Sequence, residues 1–227
     1  MRKFTIYNLQ FTIKIFLLLS TFYILHSTFY ISPVMAQGDD IGQSQITPAS
    51  PLYFLKSIRE VLELKFAGTT HIRAIRKFEF ATRRIREVKG LVKTSRQDLI
   101  EPTLYRYLFH LEEFIGTANL KDPDFATGVS KNIIGQMNVL QSVYGHVSDK
   151  RALMSIRATI NSLSKLDLKL IDKFNLAEKP LLAEQIAVSR LSACSFLKKE
   201  ASSSALNEVE KAVFVQRANE CLKPVTK

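Results

Sequence analysis

From Ser50 onward the apolar residues recur three and four apart, and that spacing restricts the chain to helices. Ser50-Pro51 reads as a helix start, a capping Ser followed by Pro at the first helical position. Leu55, Ile58, Leu62 and Phe66 then predict its buried stripe, with Gly68 as the stop. Lys56/Glu60 and Arg59/Glu63 lie four apart and are expected as ion pairs on the outer face. A second helix is predicted over about 70–93, its stripe formed by Ile75, Phe78, Ala81, Thr82, Ile85, Val88 and Val92. A third is expected near 102–118 on Leu104, Leu108, Leu111 and Ile115. Asp122-Pro123 opens a fourth, and Ser148 with Asp149 caps a fifth running to Asn175. A sixth and a seventh are expected over about 180–199 and 204–222. No stretch alternates apolar and polar residues as a half-buried strand does. The predicted fold is all-α: about seven helices with short joints, packed as antiparallel hairpins in a bundle.

The residues ahead of this region have a different character. Residues 1–36 carry Arg2, Lys3 and Lys14 and no acidic residue. Ile15 to Leu25 reads IFLLLSTFYIL, an uncharged core of about 11 residues that suits an export signal better than a membrane span. Ala36 is the expected cleavage position. The alternative is an uncleaved anchor over residues 15–35, because apolar side chains continue to Met35. Both readings place the rest of the chain outside the cytoplasm, secreted or membrane-anchored. Residues 37–50 are expected to form a flexible polar spacer.

The charge is unevenly spread. The chain has 32 Lys+Arg and 21 Asp+Glu, a net charge of +11, with 46% hydrophobic and 23% charged residues. That balance excludes a disordered chain and a polytopic membrane protein. From Lys56 to Arg96 twelve basic side chains face four acidic ones, an excess of eight. This equals the whole excess of the chain beyond residue 36, so the basicity belongs to the first helix pair, residues 51–96. Arg73, Arg76, Lys77, Arg83, Arg84 and Arg86 are the candidate residues for binding an anionic surface, with lipid headgroups or a cell-wall polymer as expected partners. No helix-turn-helix, RNA-binding or zinc module accompanies the charge, and export excludes a cytoplasmic nucleic-acid target.

Two short motifs lie in the same pair of helices. Ser50-Pro51-Leu52-Tyr53-Phe54-Leu55-Lys56 resembles the opening of the bacterial family called domain of unknown function 5667, whose members often read S-P-L-Y-x-L-K. The family's second helix carries a pattern like F-A-x-x-R-[LI]-x-E. Phe80-Ala81-Thr82-Arg83-Arg84-Ile85-Arg86-Glu87 is similar to it. The resemblance covers about residues 46–95 and departs at the first joint. There Gly68-Thr69-Thr70-His71 stands where members often have an acidic turn. It implies an extracytoplasmic helical module and assigns no activity. Taken as residues, Leu55 belongs to the buried stripe, and Tyr53 anchors the start of the helix with its hydroxyl toward water. Arg84 and Glu87 form an exposed i,i+3 pair that orients the hairpin.

No catalytic, cofactor-binding or metal-binding set is legible. His71, His110 and His146 fit no metal-binding spacing, and His110-Leu111-Glu112-Glu113 offers only an i,i+3 pair. No phosphate-binding glycine loop or nucleophile elbow occurs. Cys194 and Cys221 are the only cysteines, and in an exported chain such a pair points to a disulfide. A straight antiparallel hairpin, however, leaves them offset along the helices, with two buried thiols as the alternative. The expected function is a non-enzymatic, envelope-associated binding or structural module docking through its basic first hairpin. The alternatives are a module that binds a partner helix of another envelope protein, and a hydrolase or metal-binding protein with a dispersed site.

Overall fold

The computed structural model describes residues 41–171, 191, 194–202 and 206–221, with the backbone alone at 123, 168, 171 and 221. The export segment, the cleavage position and most of the expected sixth helix lie outside the described residues. Within them the chain is all-α. Helix α1 spans Tyr53–Lys65, α2 Thr70–Lys93, α3 Ile100–Thr117, α4 Pro123–Tyr144, α5 Lys150–Ile171 and α6 Glu208–Cys221. Residues 194–201 are also helical, and a short 3-10 turn, Gln97–Leu99, precedes α3. No strand occurs among the described residues.

Polar side chains set the helix starts. Thr69 accepts a hydrogen bond from the Ile72 amide at the start of α2, and Asp122 accepts one from Asp124 at the start of α4. Asp149 takes the amide of Ala152 ahead of α5. Each satisfies an amide that the helix cannot. Gln97 adds a tertiary cap, its Oε1 accepting from the amides of Ser148 and Asp149 at 2.8 and 2.9 Å. The first helix starts later than predicted. Ser50 and Pro51 form a turn, in which Ser50 Oγ accepts from the Leu52 amide at 3.3 Å.

Helices α2 and α3 pack as an antiparallel hairpin. Helices α4 and α5 pack likewise, and α5 also lies against α3. Phe80, Ala81, Ile85, Val88 and Leu91 of α2 meet Leu104, Tyr107, Leu111 and Phe114 of α3 in the core. Ile133, Met137 and Leu140 of α4 and Ile156, Ile160 and Leu163 of α5 complete it. Ala81, Ile85, Val88, Leu104 and Leu111 occupy the predicted stripes, because long regular helices bury the face with the densest apolar spacing, while Phe80, Leu91, Tyr107 and Phe114 are core residues outside them. A polar relay crosses this core. The Tyr107 hydroxyl donates to Gln136 Oε1 at 2.5 Å, and Gln136 Nε2 donates to Thr82 Oγ1 at 3.0 Å. Its members are buried and satisfied, so it fixes the register of three helices.

The stretch expected as a flexible spacer is instead packed over its described residues 41–50. Ile41 and Thr47 are buried. Arg86 Nε donates to the Ile41 carbonyl at 2.6 Å, and the Ser44 amide donates to the Arg86 carbonyl at 3.2 Å. Gly90 makes this approach possible. A Cβ there would sit 2.6 Å from Thr47 Cγ2 and 2.8 Å from the Ser44 carbonyl oxygen. Gly90, which costs α2 some helicity, is the floor of the groove that receives residues 41–50 as a strap.

Candidate functional site: an inverted first helix over a buried charge cluster

Helix α1 carries two stripes. Leu55, Ile58, Leu62 and Phe66 form the apolar one; Tyr53, Lys56, Glu60 and Glu63 form a polar one at equally good helical spacing. The structure buries the polar stripe against α2. Glu63 is 9% exposed, while Leu55, Ile58 and Phe66 are 50, 52 and 63% exposed. The predicted burial of Leu55, Ile58 and Phe66 is therefore corrected, and so is the outer-face placement of the α1 ion pairs. The reason lies in α2. Its core stripe is covered by α3, and the side left for α1 presents Arg83, Arg84 and Glu87, which only a polar helix face can satisfy.

The cluster is dense. Glu87, fully buried, receives Lys56 Nζ at 2.6 Å and Arg84 Nη1 at 3.0 Å, and its Oε2 accepts from the Tyr53 hydroxyl at 3.1 Å. Arg84 also contacts Glu60 and the Tyr53 hydroxyl. Arg83 Nη2 lies 2.8 Å from Glu63 Oε2, and Arg59 Nε lies 2.6 Å from Glu63 Oε1. Arg106 of α3 reaches the Tyr53 hydroxyl at 3.3 Å. Arg84 and Arg106 stand over the Tyr53 ring, each 5.7 Å from its centroid. The Arg84–Glu87 pair, expected as exposed, is among the most buried in the protein, with side chains 3 and 0% exposed. Its two members and those of the first motif, Tyr53 and Lys56, meet in this one cluster. Phe80 and Ala81 sit beneath it in the core. Leu52, Leu55 and Pro51 of the first motif face outward, and Ser50 is half-buried in the turn.

Burial sets the protonation of this cluster. It pushes the Glu60 carboxyl up to about 7; Arg83 pulls it down, and Glu87 and Glu63 push it further up. Burial also lowers the Arg84 guanidinium from its ordinary value, against the pull of Glu87. A carboxyl raised in the folded state holds a proton that the unfolded chain releases. Its stabilising contribution is complete below about 4.5 and is lost as the pH rises through about 7. The unfolding midpoint is therefore expected to rise on acidification from pH 8 to 5, and Glu60→Gln is expected to flatten that slope. Thermal melts across this range check it, and an unchanged slope in the variant would reject the assignment to Glu60.

The six candidate basic residues are mostly committed inside the fold. Arg76 pairs with Glu79 at 2.7 Å and Lys77 with Glu113 at 3.1 Å. Arg83 and Arg84 belong to the cluster, and Arg86 binds the strap. Arg73 alone among them is exposed, its Nε donating to the Ala67 carbonyl at 3.3 Å. The hairpin's carboxylates Glu60, Glu63, Glu79 and Glu87 are all in ion pairs. Lys65, Arg73 and Lys93 are exposed and have no carboxylate partner among the described residues.

The histidines do not converge. His71 lies against Phe125 with ring centroids 5.4 Å apart, and His146 is exposed after α4. His110 lies 3.8 Å from Glu113, edge-on to Phe80, with its basicity lowered by burial and by Arg84. Among the described residues no group of three or more His, Cys, Asp or Glu side chains is placed to hold a metal, and no helix is long and apolar enough to cross a membrane. Cys194 is buried and disulfide-bonded, and the Cys221 side chain lies outside the described residues.

Residues 45–150 match the family described as a domain of unknown function (DUF5667). The match runs past the two motifs to the first residue of α5, so it takes in the charge cluster and helices α1 to α4. Comparison with curated proteins and with solved structures yields no match.

Proposed function

Residues 45–150 match this family, and on that premise we propose that the chain is an exported, envelope-associated helical module. It performs no chemistry and docks on an anionic surface through its first hairpin. The observation that carries this reading is the charge left over after folding. The four carboxylates of the hairpin are consumed internally, and the surplus cations Lys65, Arg73 and Lys93 face solvent. Internal pairing thus removes the negative charge from this surface and leaves the positive. Two further observations support an extracytoplasmic site. The basic-then-apolar stretch before Ala36 has the character of an export signal, and a disulfide at Cys194 is at home in an oxidising compartment.

The residues to test differ from those the sequence singles out. Each cation near an anionic membrane contributes about 1 kcal/mol. Neutralising Lys65, Arg73 and Lys93 to Gln is expected to weaken binding to phosphatidylglycerol vesicles at low salt roughly 100-fold. Co-sedimentation measures this, and equal binding by the variant would end the docking reading. Lys77→Gln, which removes a cation already paired with Glu113, is expected to change binding far less.

A further inference from the structure

The charge cluster explains how α1 is held and leaves its other side unexplained. Phe54, Leu55, Ile58, Val61 and Phe66 are each half or more exposed, and Leu52 extends the same face at the N-terminal end. These side chains gather on one 13-residue helix and its two flanking residues, the kind of contiguous apolar patch that marks an interaction site. Arg59, 49% exposed, borders it, and Lys65 closes its C-terminal end. The polar side of the helix is already satisfied by α2.

We infer that α1 is an interfacial helix that lays its apolar face into the surface of an anionic lipid bilayer, with Lys65 at the headgroups. The inference rests on the docking reading above and selects lipid among the anionic surfaces. Three observations favour that occupant. A wall polymer offers phosphates to Lys65 and Arg73 and nothing to cover Phe54, Ile58 and Val61, whereas a bilayer offers both. A second copy docking through the same face would cover the apolar side chains and bring a second Lys65 to the seam rather than an anion. The uncharged core Ile15–Leu25 ends 16 residues before Ile41, where the strap begins. With that core uncleaved as an anchor, a length of about 3.3–3.6 Å per extended residue leaves the strap within reach of the bilayer that holds it.

The chain contains no Trp, so one introduced indole reports on α1 alone. The full chain with Phe54→Trp is mixed with vesicles of phosphatidylglycerol and phosphatidylcholine, with vesicles of phosphatidylcholine alone, and with soluble polyphosphate. The expected result is a blue-shifted emission, quenched by brominated lipid, on the anionic vesicles only. Val209→Trp, on the exposed side of α6, is expected to stay unshifted. Adding Leu55→Gln and Ile58→Gln is expected to lower vesicle partitioning at least tenfold. Salt-sensitive binding to vesicles and polyphosphate without a shift at Phe54→Trp overturns insertion and leaves anionic docking standing. Absence of binding to either overturns both. A blue shift that appears without lipid and grows with protein concentration overturns the bilayer in favour of a second copy.

Discussion

Glu87→Ala is expected to destabilise the fold by about 3–5 kcal/mol, the loss typical of removing one partner from a buried charge group. The carboxylate is fully buried and serves Lys56, Arg84 and Tyr53 together. Its removal leaves two cations in a water-poor interface without their shared counter-charge. In a chain of this length the midpoint of thermal unfolding should fall by about 6–20 °C. Arg84→Met is expected to be costly alone, because it leaves Glu60 and Glu87 facing each other with less positive charge between them. The double variant Arg84→Met, Glu87→Leu should cost clearly less than the sum of the two singles, since it removes both members of the pair. A loss below about 1 kcal/mol for Glu87→Ala would mean that water enters the cluster and that α1 is not held by it.

Replacing Cys194 by Ser is expected to cost about 2–5 kcal/mol, the range for removing a native disulfide from an exported domain. Cys194 is buried at the edge of the core formed by Leu197, Phe214 and Ala218, where residues 194–201 and α6 meet α5. The bond ties the last part of the chain to the bundle. Reductant should reproduce the effect in the wild-type protein and leave the Ser variant unchanged. Equal unfolding midpoints with and without reductant would reject the disulfide as a stabilising element. The straight-hairpin geometry that disfavours such a bond in the sequence treats both helices as rigid rods of unbroken length. Ser202 lies in a turn after the helical residues 194–201, and Asn207 caps α6 by accepting from the Glu210 amide.

Much of the bundle is legible because its helices obey one rule. In α2 through α5 a single apolar stripe dominates, so periodicity alone identifies Phe78, Ile85, Leu104, Leu111, Ile133, Met137, Ile156 and Ile160 as core. Helix α1 breaks the rule, because its polar stripe Tyr53, Lys56, Glu60, Glu63 is as regular as its apolar one. Local spacing cannot rank two stripes of equal quality. The choice depends on what α2 presents, and Arg84 and Glu87 read as a surface pair until α1 covers them. Arg106 gives no local signal at all; it reaches Tyr53 across 53 residues of chain. The strap is hidden for a similar reason. Residues 41–50 are polar enough to read as linker, and only the absence of a side chain at Gly90 creates the space they fill.

The sequence by itself determined that the chain is helical, that its excess positive charge belongs to one hairpin, and which family that hairpin resembles. The first two are properties of composition and spacing, which survive without knowledge of any neighbour, and the resemblance rests on the two motifs. Tertiary structure decided which charges are spent and which remain, and which side of α1 meets solvent. Both depend on pairing between helices, because a buried charge is stable only opposite its partner. Arg84 lost its place as a binding residue through Glu60 and Glu87, and Leu55 lost its place in the core through Lys56 and Glu63. What remains outside, the cations Lys65 and Arg73 and the apolar side chains Phe54, Ile58 and Val61, is where the function is now to be tested.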